Sequence, residues 1–300
     1  MARPAEPTAV VEPEVAPASS GRGEKRLLWR RFQRNKGAMF GLGIFILMVL
    51  TAVCAPWLAP FDPLEQNYLE AMQMPSAKHW LGTDSFGRDI LSRIIYGARI
   101  ALIVGVLAVL LSMVVGVTLG LISGYYGGVI DTIIMRIMDG LFAFPILILA
   151  IALMAILGLG VRNVIIAVAV GYIAPFARVT RGDVLAVKEE TYIEAARLTG
   201  VSHVAIIFRH ILPNVLAPII VQAALRVSAA IITEAGLSFL GLGPPPPTPV
   251  WGSMISEGRE FLVISPHIST FPGLALMLTV IGLNLFGDGL RDALDPRLKK

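Results

Sequence analysis

Residues Gly37 to Phe61 run for 25 positions without one charged side chain, and nothing else limits the fold of this chain so sharply. At about 1.5 Å rise per residue, a helix of that length crosses a hydrocarbon core roughly 30 Å thick. Backbone placed in lipid must satisfy its own N–H and C=O groups, so the run reads as helix. Further uncharged stretches cover Ile100 to Ile130, Gly140 to Val161 (the helix entering near Ile133), Asn163 to Ala177 and Ile268 to Gly287. A run from Val215 to Leu242 is broken by Arg226 and Glu234. Six transmembrane helices are expected, which makes the fold class an all-α membrane protein. The fourth span is short, so Arg162 and Arg178 would snorkel at its ends, and Pro175 would kink it. With 55% hydrophobic and 15% charged residues, an ordinary soluble domain is excluded.

The formal charge of +4 does not point to nucleic acid, because the basic residues gather beside apolar runs and form no stripe interleaved with aromatics. Their pattern sets topology instead. If the N-terminus is cytoplasmic, the inside segments carry Lys36, Arg178, Arg181, Lys188, Arg197, Arg209 and Arg291 together with the basic residues of both tails. The outside segments hold only Lys78, Arg88, Arg93, Arg99, Arg162 and Arg259. The positive-inside rule then places both termini in the cytoplasm, in a plasma (inner) membrane. Residues 1 to 36 read as a basic cytoplasmic tail whose Pro-, Ala- and Glu-rich start cannot bury a core. Residues 37 to 300 read as one transmembrane domain. Val53-Cys54-Ala55 resembles a small-residue cleavage site, but the run is long and Pro56 would follow the cut, so an uncleaved anchor is expected. Val53 also argues against a lipoprotein anchor at Cys54. This single cysteine allows no disulfide framework and no Cys/His metal cluster.

One segment, "EETYIEAARLTGVSHVAIIFRHILPN" (189 to 214), is far too polar for the bilayer. Thr191 and Glu194 have capping-box spacing, which predicts a helix start. Gly200 suits the left-handed position that ends a helix, and Ser202 can cap a second one, "HVAIIFRHIL", stopping near Pro213. Tyr192, Ala195, Ala196 and Thr199 share one mildly apolar face, suited to a partner's groove. A simple connector is the alternative reading of the residues.

Glu194-Ala195-Ala196, Gly200 and, after nine residues, His210-Ile211-Leu212-Pro213 resemble the EAA loop of ABC importer membrane subunits. His210 departs from the usual aliphatic residue at one packing position. "LGTDSFGRDILSRIIYGAR" (81 to 99), "GYYGG" (124 to 128), "GLSFLGLGPPPPTPVWG" (236 to 252) and "GDGLRDALDPRL" (287 to 298) are similar to the C-type subunit of the dipeptide/oligopeptide permease family. The likeness runs from about Leu27 to the end. It implies type I importer architecture and half of a translocation channel. It also implies as partners a second homologous permease, two cytoplasmic ATP-binding subunits and an external solute-binding protein. Residues 181 to 213 would form the coupling loop, with Thr191, Glu194, Ala195, Ala196, Gly200, Leu212 and Pro213 meeting the ATPases. No G-x-x-x-x-G-K-[ST] phosphate loop occurs in the sequence, in keeping with ATP and Mg held by the partner subunits and no cofactor of the chain's own. The expected cargo is peptide, with glutathione, a nickel chelate or a sugar as alternatives.

Arg226 and Glu234 are costly in a span, so both should turn from lipid, either lining the pathway or pairing with a neighbouring helix. Arg136 and Asp139 have the spacing of a local helix pair. In the outer loop, Asp84, Arg88 and Asp89 either contact the binding protein or close a turn around Gly82 and Gly87. The prolines from 244 to 249 favour an extended polyproline spacer. Gly236-Leu237-Ser238, with His267, echoes an intramembrane serine protease, although no geometry brings base and nucleophile together. A secondary transporter should show paired interrupted helices, and only the fifth run is interrupted by charge.

Overall fold

The computed structural model describes residues 29–294; the expectations for the tail before residue 29 and for the last six residues fall outside them. Among the described residues the regular structure is helical, with one isolated antiparallel bridge between Thr83 and Asp89. The principal helices are α1 (Lys36–Val53), α2 (Ile90–Tyr126), α3 (Gly128–Phe142), α4 (Ile146–Leu157), α5 (Val161–Val187), α6 (Thr191–Leu198), α7 (Leu212–Phe239), α8 (Trp251–Gly258) and α9 (His267–Leu294). Five stretches are long and apolar enough to cross a membrane: α1, α2, α5, His203–Phe239 and α9. A sixth follows if α3 and α4 count as one span.

That third span corrects the sequence reading, which made Gly140 to Val161 one helix. The α3 and α4 axes meet at 91°. Pro145 has no N–H to donate and pushes its predecessor out of helical geometry, so α3 ends at Phe142 and α4 restarts at Ile146. Two other boundaries move. The α2 helix begins at Ile90 rather than near Ile100, because Asp89 caps it and accepts from the Ser92 N–H at 2.8 Å. The α5 helix passes Pro175 and runs 27 residues to Val187. Two of its arginines find partners on α3: Arg178 with Asp139 at 2.7 Å and Arg181 with Asp131 at 2.6 Å. The local Arg136–Asp139 pair is therefore replaced by a tertiary one.

The α2 and α5 helices pack closely because glycine removes the side chains between them. A Cβ at Gly116, Gly120 or Gly124 would lie 2.6 to 2.8 Å from Ile173 O, Ala177 O and Val184 Cβ respectively. Such spacing lets backbones approach and gain dispersion contacts that lipid would otherwise supply. Both partners advance together along this seam, so α2 and α5 run parallel. Opposite them, Gly41 of α1 meets Gly282 O and Phe286 N of α9, and those helices run antiparallel. One core cluster joins α2, α4, α5 and α7, and a second joins α1, α2, α7, α8 and α9.

These directions gather distinct segments at the two ends of the bundle. At the near end, Asn35 donates to Asp292 at 3.2 Å and Lys188 donates to Gly124 O at 3.2 Å. The α6 segment and the start of α7 lie at this same end. At the far end are the loop from 54 to 89, α8 and the start of α9, tied by the Trp251 indole donating to Ile94 O at 3.0 Å. The proline run there turns back, with the Thr248 N–H donating to Pro245 O at 3.3 Å, instead of extending as a spacer.

Candidate functional site

The polar segment folds as a short helix, a glycine turn and a helical stretch that continues into α7. Thr191 is the first residue of α6, and the N-cap is Glu190, which offers no side-chain hydrogen bond. The capping-box reading is thereby corrected. Helix starts one residue early because Ile193 is wholly buried beside Ile206, Ile207 and Ile211, an anchor worth about 2 kcal/mol. With Thr191 already helical, its hydroxyl does not close the box, and the Glu194 carboxylate stands on the exposed side. Ala196 is half-buried against the core, whereas Tyr192, Ala195, Leu198 and Thr199 are exposed. Leu198, which the sequence reading left out of this face, is 82% exposed.

At Gly200 the chain takes φ +80°. The Gly200 N–H donates to Arg197 O and the Val201 N–H to Ala196 O, both at 3.1 Å. These paired bonds form a Schellman closure, which requires the left-handed residue. Ser202 then caps the next turn through the Ala205 N–H at 3.4 Å. The second helix does not stop at Pro213. Residues Ile206–Ile211 widen into a π turn, Pro213 sits in the first turn of α7 where its missing N–H is tolerated, and Leu212 packs on the core. The Asn214 side chain bridges this junction, donating to His210 O at 2.6 Å.

A contact absent from the sequence reading joins the segment to α2. The Tyr125 hydroxyl and His203 Nδ1 are 2.7 Å apart, and the Arg197 guanidinium stands 5.3 Å from the centre of the Tyr125 ring. Tyr126 adds a second ring 6.3 Å from His203. One turn away, Asp131 receives both Arg181 and the Ser123 hydroxyl. The end of α2 is thus held to α3, α5 and the α6 segment by polar groups at one level.

Beside this segment an open cavity of about 750 Å³ lies between α7 and the end of α9. Asn214, Gln222 and Arg226 line it from α7, and Arg291 lines it from α9. Arg226 is half-buried, its guanidinium 5.5 Å from the centre of the Tyr172 ring. Glu234, two turns further, does not share the cavity. It is buried and accepts from the Ser238 hydroxyl at 2.7 Å. That bond also engages the serine of the protease-like motif, and none of the described hydrogen bonds links it to His267, which packs under Gly82.

Of the two readings of the outer loop, the structure carries turn closure. Asp84, Arg88 and Asp89 are 4%, 2% and 2% exposed, which leaves no surface for a binding protein to reach. Arg88 donates to Asp84 at 2.6 Å and to Glu257 of α8 at 2.9 Å, while Asp89 meets His79 Nδ1 at 2.9 Å. The buried Arg93 stands 3.5 Å from Asp84 and donates to Pro63 O at 3.3 Å. Nearer the surface, the Lys78 ammonium holds the Glu70 carboxyl below the usual carboxylate range.

This combination of a helical membrane bundle, a helix–glycine–helix segment at one end and an adjoining cavity belongs to a known class. Residues 116–300 match the family of binding-protein-dependent transport system inner membrane components, and residues 25–75 match the N-terminal TM domain of oligopeptide transport permease C. The chain belongs to that family: it is a permease subunit of an ABC importer and a multi-pass inner-membrane protein. Among its curated relatives is the glutathione transport system permease protein GsiD of Pectobacterium atrosepticum, 51% identical over 278 residues and 91% of each chain. The GsiD protein of Escherichia coli O6:K15:H31 is 51% identical over 274 residues, 90% of each chain. The inward-facing MetNI methionine ABC transporter shares the fold, with TM-score 0.55 and 18% identity over 69% of this chain and 98% of the other.

Proposed function

We propose that this permease forms half of the channel of an importer for small peptides, glutathione being the favoured cargo, and that α6 is where the cytoplasmic ATPases act. The observation that carries the cargo is the 51% identity to GsiD across 91% of both chains. Dipeptide or oligopeptide transport is the second reading, favoured by the match of residues 25–75 to the oligopeptide permease C domain. On this reading the near end is cytoplasmic, where Arg178, Arg181, Lys188, Arg197, Arg209 and Arg291 accumulate. A second permease completes the channel, two ATPases hold ATP and Mg, and an external binding protein delivers the solute. The exposed Tyr192, Ala195, Leu198 and Thr199 would seat α6 in an ATPase groove.

The test is uptake by the complete complex, reconstituted with its own ATPases and binding protein. ATP-dependent accumulation of labelled glutathione, exceeding that of dipeptides, is expected. Accumulation of dipeptides with exclusion of glutathione selects the second reading, and accumulation of neither overturns both.

A further inference from the structure

Two arginines, Arg226 and Arg291, line one cavity from different helices. Neither has an ion-pair partner within 4.0 Å among the described residues, Asp288 one turn before Arg291 included. Asp292, next to Arg291, accepts from Asn35 of the tail-side turn, and Glu234, on the helix of Arg226, accepts from Ser238. Arg226 is held instead by the face of the Tyr172 ring, and Tyr172 is fixed in turn by a 3.3 Å contact with Thr233. A cation over an aromatic face keeps its full charge while losing freedom. The remaining wall is mainly aliphatic, from Ala217, Pro218, Val221 and Leu225, and low-dielectric walls focus the field of the charges they enclose. Planar, bidentate guanidinium donors match carboxylates.

We infer that this cavity selects anionic solutes, with Arg226 and Arg291 receiving solute carboxylates inside the permease itself. The inference deepens the proposed function and rests on it for the identity of the cargo. It makes this chain, and not the binding protein alone, a determinant of charge specificity. Gln222, one turn from Arg226 on the same wall, is the reporter position.

The experiment uses the complete complex carrying Gln222→Cys and Cys54→Ser in this chain, in phosphatidylcholine vesicles and in vesicles containing phosphatidylglycerol. Rates of modification by anionic sulfonatoethyl and cationic trimethylammonioethyl methanethiosulfonate are measured on this chain and normalised to the rates with free 2-mercaptoethanol. The anionic reagent should be favoured by about tenfold or more, the range expected of a cleft lined by one sign of charge. Arg226→Gln and Arg291→Gln should each reduce the ratio, their combination should bring it within about twofold of the free thiol, and Arg226→Lys should retain it. Val263→Cys, at the far end, supplies a reference for folding and reagent access. A normalised ratio near one, an unreactive Gln222→Cys, or a ratio unchanged by both glutamine variants overturns the inference. A preference present in phosphatidylcholine and lost with phosphatidylglycerol also overturns it, assigning the site to a lipid headgroup. In uptake, Arg226→Gln should depress glutathione several-fold more than the cationic peptide Lys-Ala-Lys, and equal losses would reduce Arg226 to a structural role. If the unsubstituted complex carries neither peptide, the proposed cargo fails, while the reagent ratio still decides the charge of the cavity.

Discussion

Gly200 isolates one physical cost in the α6 segment. A Cβ added there meets nothing within 4 Å, so a substitution introduces no clash, and its entire native-state penalty comes from φ +80°. Holding an L-residue in the left-handed region costs roughly 1–2 kcal/mol, and removing glycine from the unfolded chain returns about 0.4–1 kcal/mol. Gly200→Ala should therefore lose about 1 kcal/mol, Gly200→Val more because of its branched Cβ, and Gly200→Asn least, since asparagine tolerates this region. Against a global stability of about 5–15 kcal/mol none of the three unfolds the bundle. The loss falls on the two closing bonds, Gly200 N–H to Arg197 O and Val201 N–H to Ala196 O. Hydrogen exchange of amides 194 to 201 in the reconstituted complex should accelerate, about tenfold for each 1.4 kcal/mol, in the order Asn, Ala, Val. Glutathione uptake should fall in the same order while subunit association persists. Equal exchange in all three variants, or asparagine as harmful as valine, would refute the assignment of the cost to backbone conformation.

Other positions test separate links. Gly120→Leu drives a side chain into Ala177 O, 2.6 Å from the Cβ position; backbone cannot move aside as a side chain would, so a loss of about 1–3 kcal/mol or more should appear in the thermal unfolding of the purified complex. Tyr125→Phe keeps the ring under Arg197 and deletes the hydroxyl at His203; a double-mutant cycle with His203→Ala should give a coupling of about 1 kcal/mol in stability, and a value near zero would remove the contact from consideration. Arg88→Ala leaves Asp84 buried without its 2.6 Å partner, so a loss of about 3–5 kcal/mol is expected in the same unfolding assay. Thiols introduced at Leu198 and Val263, which are 82% and 98% exposed at opposite ends, should react with an impermeant reagent in intact cells only at position 263; labelling at 198 would invert the orientation.

The spans were legible because lipid imposes one rule on every residue in turn: an uncharged run of sufficient length must be helix. The helix ends were less so, since they depend on contacts remote in sequence. The second span was read from Ile100, with Asp89 and Arg93 in the outer loop, yet both are buried at its helix start because Asp84, His79 and the carbonyl of Pro63 converge on them. Asp139 had a plausible local partner in Arg136 and took Arg178, 39 residues away. The bend at Pro145 had a local signal, a proline inside an apolar run, that was outweighed by hydropathy. In the candidate site, Gly200 and Ser202 were readable from chemistry that needs only neighbouring backbone. The capping box failed because a buried isoleucine, not a side-chain cap, set where α6 begins. Arg291 reaches the cavity only through the approach of α9 to α7, which no spacing along the chain encodes.

The position of the π turn bears on how motion at α6 would reach the cavity. Asn214 and Arg226 stand on α7, and α7 is continuous with the turn that follows Ser202. A rod that passes from α6 to the cavity wall would carry displacement directly if it were uniformly bonded. Residues 206 to 213 are the exception, since the hydrogen bonds widen to five-residue spacing and Pro213 donates none; helices bend most readily at such places. On one side of this joint, Tyr125 and Gly124 fasten the segment to α2 through His203 and Lys188. On the other, α7 packs against α4, α5 and α9. On the proposed reading, an ATPase pulling α6 therefore moves α2 with it and concentrates bending at the π turn, so that the wall bearing Arg226 tilts relative to the end of α9 bearing Arg291.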